Sequence, residues 1–524
     1  MTKIYKYLAP ALALVVLSTA TLIYALRDSK IEITQWRSIA RPVNIRPDYS
    51  GTVIPPNIAP LNFLVQEAGS QYYVKIYSQR GKTIEIFSRS PKIIIPQGAW
   101  YKLLNINRGE QLHFDVFVKT EDEPWNRFAP ITNQIANEPI DPFLVYRRIR
   151  PVYSTGETSI HQRNLQNYND TPVLTSKSVR GVCINCHTFC NNRTDKMFFG
   201  TRSKRQGSFT VFVQDGRMFK LQTKFGYTSW HPSGKLAVYS VNKVRQFFHF
   251  ARSEVRDVVD LDSALLYYAV DSKSIKTSPK FSAKDRLETF PTWSPDGRYL
   301  YFCSAPMLWT DQNKLPPDLY RQVKYDLQRI SYDLDRDQWG QLETLLSAQD
   351  TDLSILQPKI SPDGRWLVFC MCDYSCWASY QASSDLYIMD LKAAHETGRY
   401  DYRRLDCNSD QSETWTSWSS NSHWIAFSSK KENGLFTRTY LSYIDNDGNT
   451  CKPILLPQKD PEFFDSHLWT HGVPELVTEP VKVKGEKLAR FVRSAPKIPV
   501  DLPITMATPG AKDAPVDTRW QERE

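Results

Sequence analysis

A short turn that recurs four times in the second half of the chain limits the fold more than any other feature. It reads Trp230-His231-Pro232-Ser233-Gly234-Lys235, then Trp293-Ser294-Pro295-Asp296-Gly297-Arg298, then Ile360-Ser361-Pro362-Asp363-Gly364-Arg365. A weaker copy, Trp418-Ser419-Ser420-Asn421-Ser422-His423, follows. The copies start at 230, 293, 360 and 418, so the repeats are 63, 67 and 58 residues long. Pro fixes φ at an early corner, Asp can accept from its own backbone, and Gly takes a corner closed to other residues. An apolar strand follows each turn, and a second strand ends in aspartate: Asp271, Asp333, Asp390 and Asp445. One such unit cannot bury both of its faces, but units stacked around an axis can, which predicts a β-propeller. Phe198-Phe199 with Thr210–Val213 reads as an earlier, degenerate unit, and residues 451–480 can close the ring. The count is six blades over 181–480. The 14 Trp and 27 Tyr suit an all-β chain, because aromatic side chains pack well on pleated surfaces.

One stretch names a chemistry. Cys183-Ile184-Asn185-Cys186-His187 has the C-x-x-C-H spacing of a c-type haem attachment site. Each thiol can form a thioether to a porphyrin vinyl group, and the adjacent imidazole can take the iron as proximal ligand. This predicts one covalent haem c on Cys183 and Cys186, with His187 on the iron. Cys190 extends the run toward a zinc pattern, but Cys186 and His187 are neighbours, and structural zinc ligands come in pairs spaced by two to four residues. A plain disulfide between Cys183 and Cys186 is the other alternative. The candidates for the iron's second axial position are Met197, Met218, His231 and His249. Met would raise the potential and His would lower it. His231 also reads as a hydrogen-bonded turn residue, and His249 as a packed core histidine.

The W-S-P-D-G-R turns with D-L-Y-x-M-D strands resemble the WD40-like propeller repeats of TolB-type exported bacterial proteins. With C-I-N-C-H just upstream, the chain is similar to a narrower group of TolB-like proteins carrying one CxxCH motif. The resemblance covers about 180–465. It implies a propeller and haem attachment, and it implies no reaction. The fourth turn departs from the pattern, with Ser420-Asn421-Ser422 in place of P-D-G.

At the other end, Lys3 and Lys6 precede an apolar run from Tyr7 to Leu26, closed by Arg27. The run is about 19 residues, enough for a membrane helix, and the flanking charges favour export of the rest. Residues 1–27 are expected to be a signal anchor, with a cleaved signal peptide as the alternative. The chain then sits on the periplasmic side of a bacterial membrane. Residues 28–54, with Pro42 and Pro47, read as an extended tether. Alternating strands such as Gln71–Tyr77 and Thr83–Phe87 predict a small antiparallel sandwich-like domain over 55–125. Residues 126–180 read as a connection and 481–524 as a poorly ordered tail. Cys370, Cys372 and Cys376 suggest a disulfide from Cys376 to a near cysteine together with buried thiols, in preference to a soft-metal site.

Net charge is +10, from 66 basic against 56 acidic residues, with no long basic block, so nucleic acid is not an expected partner. No G-x-S-x-G elbow is present, which excludes a propeller-fronted serine peptidase. The expected function is electron transfer in the cell envelope, with a redox or envelope protein as partner. The alternative is an interaction scaffold in which the haem is structural or sensory. A haem enzyme would need an open iron face, which sequence does not reveal.

Overall fold

The computed structural model describes residues 33–500 apart from 122, 151–156, 204–206, 250–255 and 312. The expected signal anchor and the last residues of the tail, 501–524, lie outside the described residues. Among those described, no helix is long and apolar enough to cross a membrane.

Six four-stranded antiparallel sheets carry most of the chain. Sheet II runs from Cys183 to Leu221, sheet III from Thr228 to Lys276, and sheet IV from Arg286 to Leu346. Sheet V runs from Ser354 to Arg404, and sheet VI from Glu413 to Leu455. Sheet I joins Phe143–Ile149, Ser159–Asn164 and Asp170–Thr175 to the distant strand Thr470–Val477. Each sheet packs its innermost strand on the next, and sheet VI packs on Thr470–Val477, so the ring closes through sheet I. This is a β-propeller. Apolar clusters between successive sheets hold it together, such as Phe198, Trp230, Tyr239 and Tyr268 between sheets II and III.

The repeated turn joins the first and second strands of a unit. Ser294 Oγ donates to Asp296 Oδ1 at 2.6 Å, the Arg298 N–H donates to the same oxygen at 3.0 Å, and Gly297 takes φ +73°. The weaker fourth copy keeps this geometry. Asn421 stands in for Asp and accepts from Ser419, and Ser422 adopts φ +65°, a conformation that costs a non-glycine residue energy. The turns also interlock around the ring. Asn191 donates to the Pro232 carbonyl (2.9 Å), His231 Nε2 pairs with the Gly297 carbonyl (3.1 Å), and the Asp363 N–H donates to Ser422 Oγ (3.0 Å).

The N-terminal unit departs from the sequence reading in two ways. Its main sheet has seven strands and recruits the expected tether. Trp36–Pro42 pairs in parallel with Trp125–Ala129, and Val53–Ile54 pairs in parallel with Ile131–Ile135. Both recruited strands lie at sheet edges, the place where nearby prolines are tolerated. A helix, Gln97–Ile106, buries Trp100, Leu103 and Leu104 against the sheet. The unit is therefore mixed and spans 36–135, wider than 55–125.

The expected connection, 126–180, supplies three strands of sheet I. It escaped notice because that sheet has no repeat turn: its innermost strand comes from the far end of the chain. Part of the expected tail is ordered too. The helix Gly485–Ser494 buries Leu488, Ala489 and Val492, and Lys220 Nζ donates to the Val492 carbonyl (2.9 Å).

Candidate functional site on the propeller axis

The innermost strands share a distortion. Cys186, Phe290, Gln357, Trp415 and Val473 all have φ between +51° and +56°, in sheets II, IV, V, VI and I respectively. The strand register shifts beside each one. A bulge of this kind turns a residue out of the ladder. Here each sheet presents that residue and the next one to the axis: Cys186-His187, Phe290-Pro291, Gln357-Pro358, Trp415-Thr416 and Val473-Pro474. Tyr227-Thr228 does the same in sheet III, and Arg147, Asn185, Lys359, Trp377 and Glu475 complete the lining. The C-x-x-C-H motif therefore lies on a strand, with its second cysteine at the bulge that the other sheets also carry.

The cavity is partly filled by rings. Tyr227 lies 4.3 Å from Phe290 and 5.4 Å from Trp415, centroid to centroid, and Trp377 lies 6.4 Å from Trp415. The space left free is about 60 Å³, room for about four to six waters.

His187 is 2% exposed, and its ring lies against the Val145 and Val473 backbone without a hydrogen bond of good geometry at either nitrogen. Burial pushes its pKa down to about 4, so the imidazole is neutral and its lone pair available. Cys186 is half-buried, and burial pushes its thiol up although Lys224, Arg202 and Arg147 pull the other way. Lys224 is held down to about 7, first by burial and then by Arg202, while Cys186 and Cys183 partly offset this. Both thiols thus lie near one lysine. Cys183 itself is 1% exposed and is not part of the cavity lining. Across from the motif strand, Glu475 Oε2 accepts from the Phe189 N–H at 3.2 Å, and burial raises its carboxyl to about 7.

The four sequence candidates for a second iron ligand all lie elsewhere. Met197 is packed in the core between sheets I and II, with Met218 against its edge. His231 spends both nitrogens on the turns, with Nδ1 at 2.7 Å from Ser233 Oγ and Nε2 on Gly297. His249 pairs with Asp257 at 3.2 Å. None lines the cavity. Cys190 lies in the core between sheets II and III, its Sγ against the His231 carbonyl, which leaves the zinc reading without its third ligand. Among the described residues no group of three or more His, Cys, Asp or Glu is placed to hold a metal ion. The expected disulfide at Cys376 is not formed: Cys370, Cys372 and Cys376 are buried thiols among apolar neighbours.

The residue types are those of covalent haem attachment. Two thiols three residues apart adjoin a neutral, buried imidazole. The charges of Lys224, Arg202 and Arg147 act on the second thiol, and such cations suit the two carboxylates that haem carries. Aromatic faces supply apolar walls. The volume does not fit: 60 Å³, with the Tyr227, Trp377 and Trp415 rings in it, holds no macrocycle.

Sequence reasoning missed the other axial residues, although a signal was present. Tyr227, Phe290, Gln357 and Trp415 each stand three residues before the start of a repeat turn, at 230, 293, 360 and 418.

The fold and site together define a β-propeller with a cysteine–histidine site on its axis. No family model and no curated protein matches the chain. Among solved structures it is similar to TolB from Acinetobacter baumannii, at 13% identity and TM-score 0.40, over 70% of this chain and 79% of that one. It is also similar to the β-propeller domain of the Trilobed protease from Pyrococcus furiosus, at 10% identity and TM-score 0.31, over 66% and 82%. An oligogalacturonate lyase from Vibrio parahaemolyticus matches at 10% identity and TM-score 0.31, over 58% and 92%. The propeller assignment rests on the sheets themselves.

Proposed function

We propose that this chain is an exported, membrane-anchored haem protein. In this reading Cys183 and Cys186 carry one covalent haem c, His187 is the proximal ligand, and the group sits on the axis of a six-bladed TolB-like propeller. The observation that carries the reading is the placing of the motif: Cys186 and the buried, neutral His187 both line the cavity on the axis. When bound, the group supplies one reversibly exchanged electron, which suits electron transfer with an envelope partner. The chain's own residues do the rest. The bulge at Cys186 aims the imidazole, the cations balance carboxylates, and the aromatic walls exclude water.

A second reading, in which haem is structural or sensory on an interaction scaffold, draws on the same aromatic packing. Rings that fill the axis leave little access for an external substrate.

The test is a haem stain on a denaturing gel with a pyridine haemochrome spectrum, after expression with a c-type maturation system. Stain should follow the wild-type chain and vanish in Cys183→Ala/Cys186→Ala. A wild-type chain without covalent haem would end both readings. A reversible midpoint favours electron transfer, whereas a spectrum that shifts with small ligands favours sensing.

A further inference from the structure

The cavity on the axis has a size and a charge of its own. Its free space of about 60 Å³ suits a molecule of about four to six non-hydrogen atoms. The space is not sealed: Asn185, Tyr227, Trp377 and Trp415 in its lining are each half-buried, so solvent reaches it.

Two residues of the lining are basic, Arg147 from sheet I and Lys359 from sheet V, and neither forms an ion pair with any described residue. Arg147 gives Nη1 to Asn185 Oδ1 at 2.5 Å, and its Nη2 makes no hydrogen bond with a described residue. The Lys359 carbonyl is held by Trp418 Nε1 at 3.0 Å, while its Nζ is likewise without a partner. Both charges act on His187. The lining has one carboxyl to set against them, that of Glu475. Its Oε2 already accepts from the Phe189 N–H at 3.2 Å, and burial keeps it protonated up to about 7.

The rest of the wall is largely aromatic and fixed in place. Trp415 donates its backbone N–H to Gln357 Oε1 at 2.8 Å and its indole Nε1 to Ser379 Oγ at 3.1 Å. Tyr227 packs on its ring and on that of Phe290. Apolar walls with a few convergent polar groups are the ordinary make-up of a small-molecule site, and cations without a counter-charge draw an anion into a cleft.

We propose that the axial cavity binds a small organic carboxylate of about four to six non-hydrogen atoms. Its oxygens accept from the Arg147 guanidinium and the Lys359 ammonium, and its short apolar body lies against the Trp377 and Trp415 rings. A carboxylate suits the guanidinium fork. Inorganic phosphate would meet the cations but leave the rings unused. No bond is made or broken, and the proposal does not rest on the haem reading.

The experiment uses the full chain as isolated, at pH 6, with its haemochrome recorded separately. Tryptophan fluorescence and titration calorimetry follow the addition of lactate, of lactamide (its neutral amide, of the same shape) and of inorganic phosphate. Lactate should bind saturably, with lactamide and phosphate each weaker by about tenfold or more, as the loss of a charge-assisted contact requires. Lys359→Met, which keeps the side-chain length, should weaken lactate by about tenfold, and Lys359→Arg should retain it. Should Lys359→Met fail to fold, Arg147→Met makes the same comparison. Lactamide or phosphate bound as tightly as lactate, undiminished binding in the methionine variant, or no saturation by lactate would each overturn the proposal. Saturable lactate binding by a chain without covalent haem would uphold it while ending the haem reading.

Discussion

Glu475 and His231 show how much a single side chain in this propeller can be asked to do. In the unfolded chain Glu475 loses its proton near 4.5, but on the axis it keeps it until about 7. The folded state therefore binds the extra proton between those values. The stability this group lends falls as pH rises from 4.5 through 7 and stays low above it. Glu475→Gln, which keeps the shape and the acceptor for Phe189, should stabilise the protein at pH 8 by on the order of 2 kcal/mol and change little at pH 4.5. Urea midpoints at the two values check this, and equal effects at both would count against it. His231 has a different job. Its ring ties its own turn to the next one through Gly297, so His231→Ser, which restores the residue of the other turns, should cost about 1 kcal/mol. It should leave any haem spectrum unchanged, whereas a distal ligand would not. At this scale spacing alone marked Cys183, Cys186 and His187, and the structure puts Cys186 and His187 on the axis. It was read poorly where sequence proximity stood in for space. Met197 is near His187 in number but faces a core, and Lys359 is distant in number but faces the axis.

The repeat turns made the second and third strands of sheets III to VI legible, because a P-D-G corner and an alternating strand are local signals. The innermost strands were not legible. Phe290, Gln357 and Trp415 lie in left-handed conformations at bulges, so their segments do not alternate cleanly, and a proline follows two of them. Sheet I was hidden because its pairing joins residues such as Phe143 and Val477, and no local pattern reports such a pair. That long-range strand has a consequence for the site. Thr470–Val477 packs directly on the motif strand, and with it in place Cys183 and His187 are 1% and 2% exposed. A group as large as haem cannot reach them in the closed ring, so on the proposed haem reading attachment would have to precede closure. Folded apoprotein mixed with reduced haem should gain no covalent stain, while the same chain in denaturant, or truncated after residue 465, should gain it. Equal labelling of folded and unfolded chains would contradict this order.

Across the whole molecule, the N-terminal unit and the propeller are joined by more than a linker. Charged pairs cross between them: Arg46 with Asp465 at 2.5 Å, Lys92 with Asp460 at 3.1 Å, and Lys452 with Asp48 at 2.6 Å. All are exposed, and each contributes no more than about 1 kcal/mol. The apolar contacts decide the matter. One continuous core runs from Val43, Ile54, Trp100 and Phe114 of the N-terminal unit to Leu287, Val368, Ile425 and Leu455 of sheets IV to VI. Tyr49 also donates its hydroxyl to the Leu455 carbonyl at 3.3 Å. Burial of this kind is insensitive to salt, whereas surface ion pairs weaken as salt screens them. The two units should therefore unfold together, in a single calorimetric transition that moves little between low and high salt. Deletion of 33–135 should leave a propeller with Ile454 and Leu455 uncovered, prone to aggregate instead of folding alone. Two resolved transitions, or a soluble and cooperative propeller without the N-terminal unit, would show that the shared core is an adjacency and not a dependence.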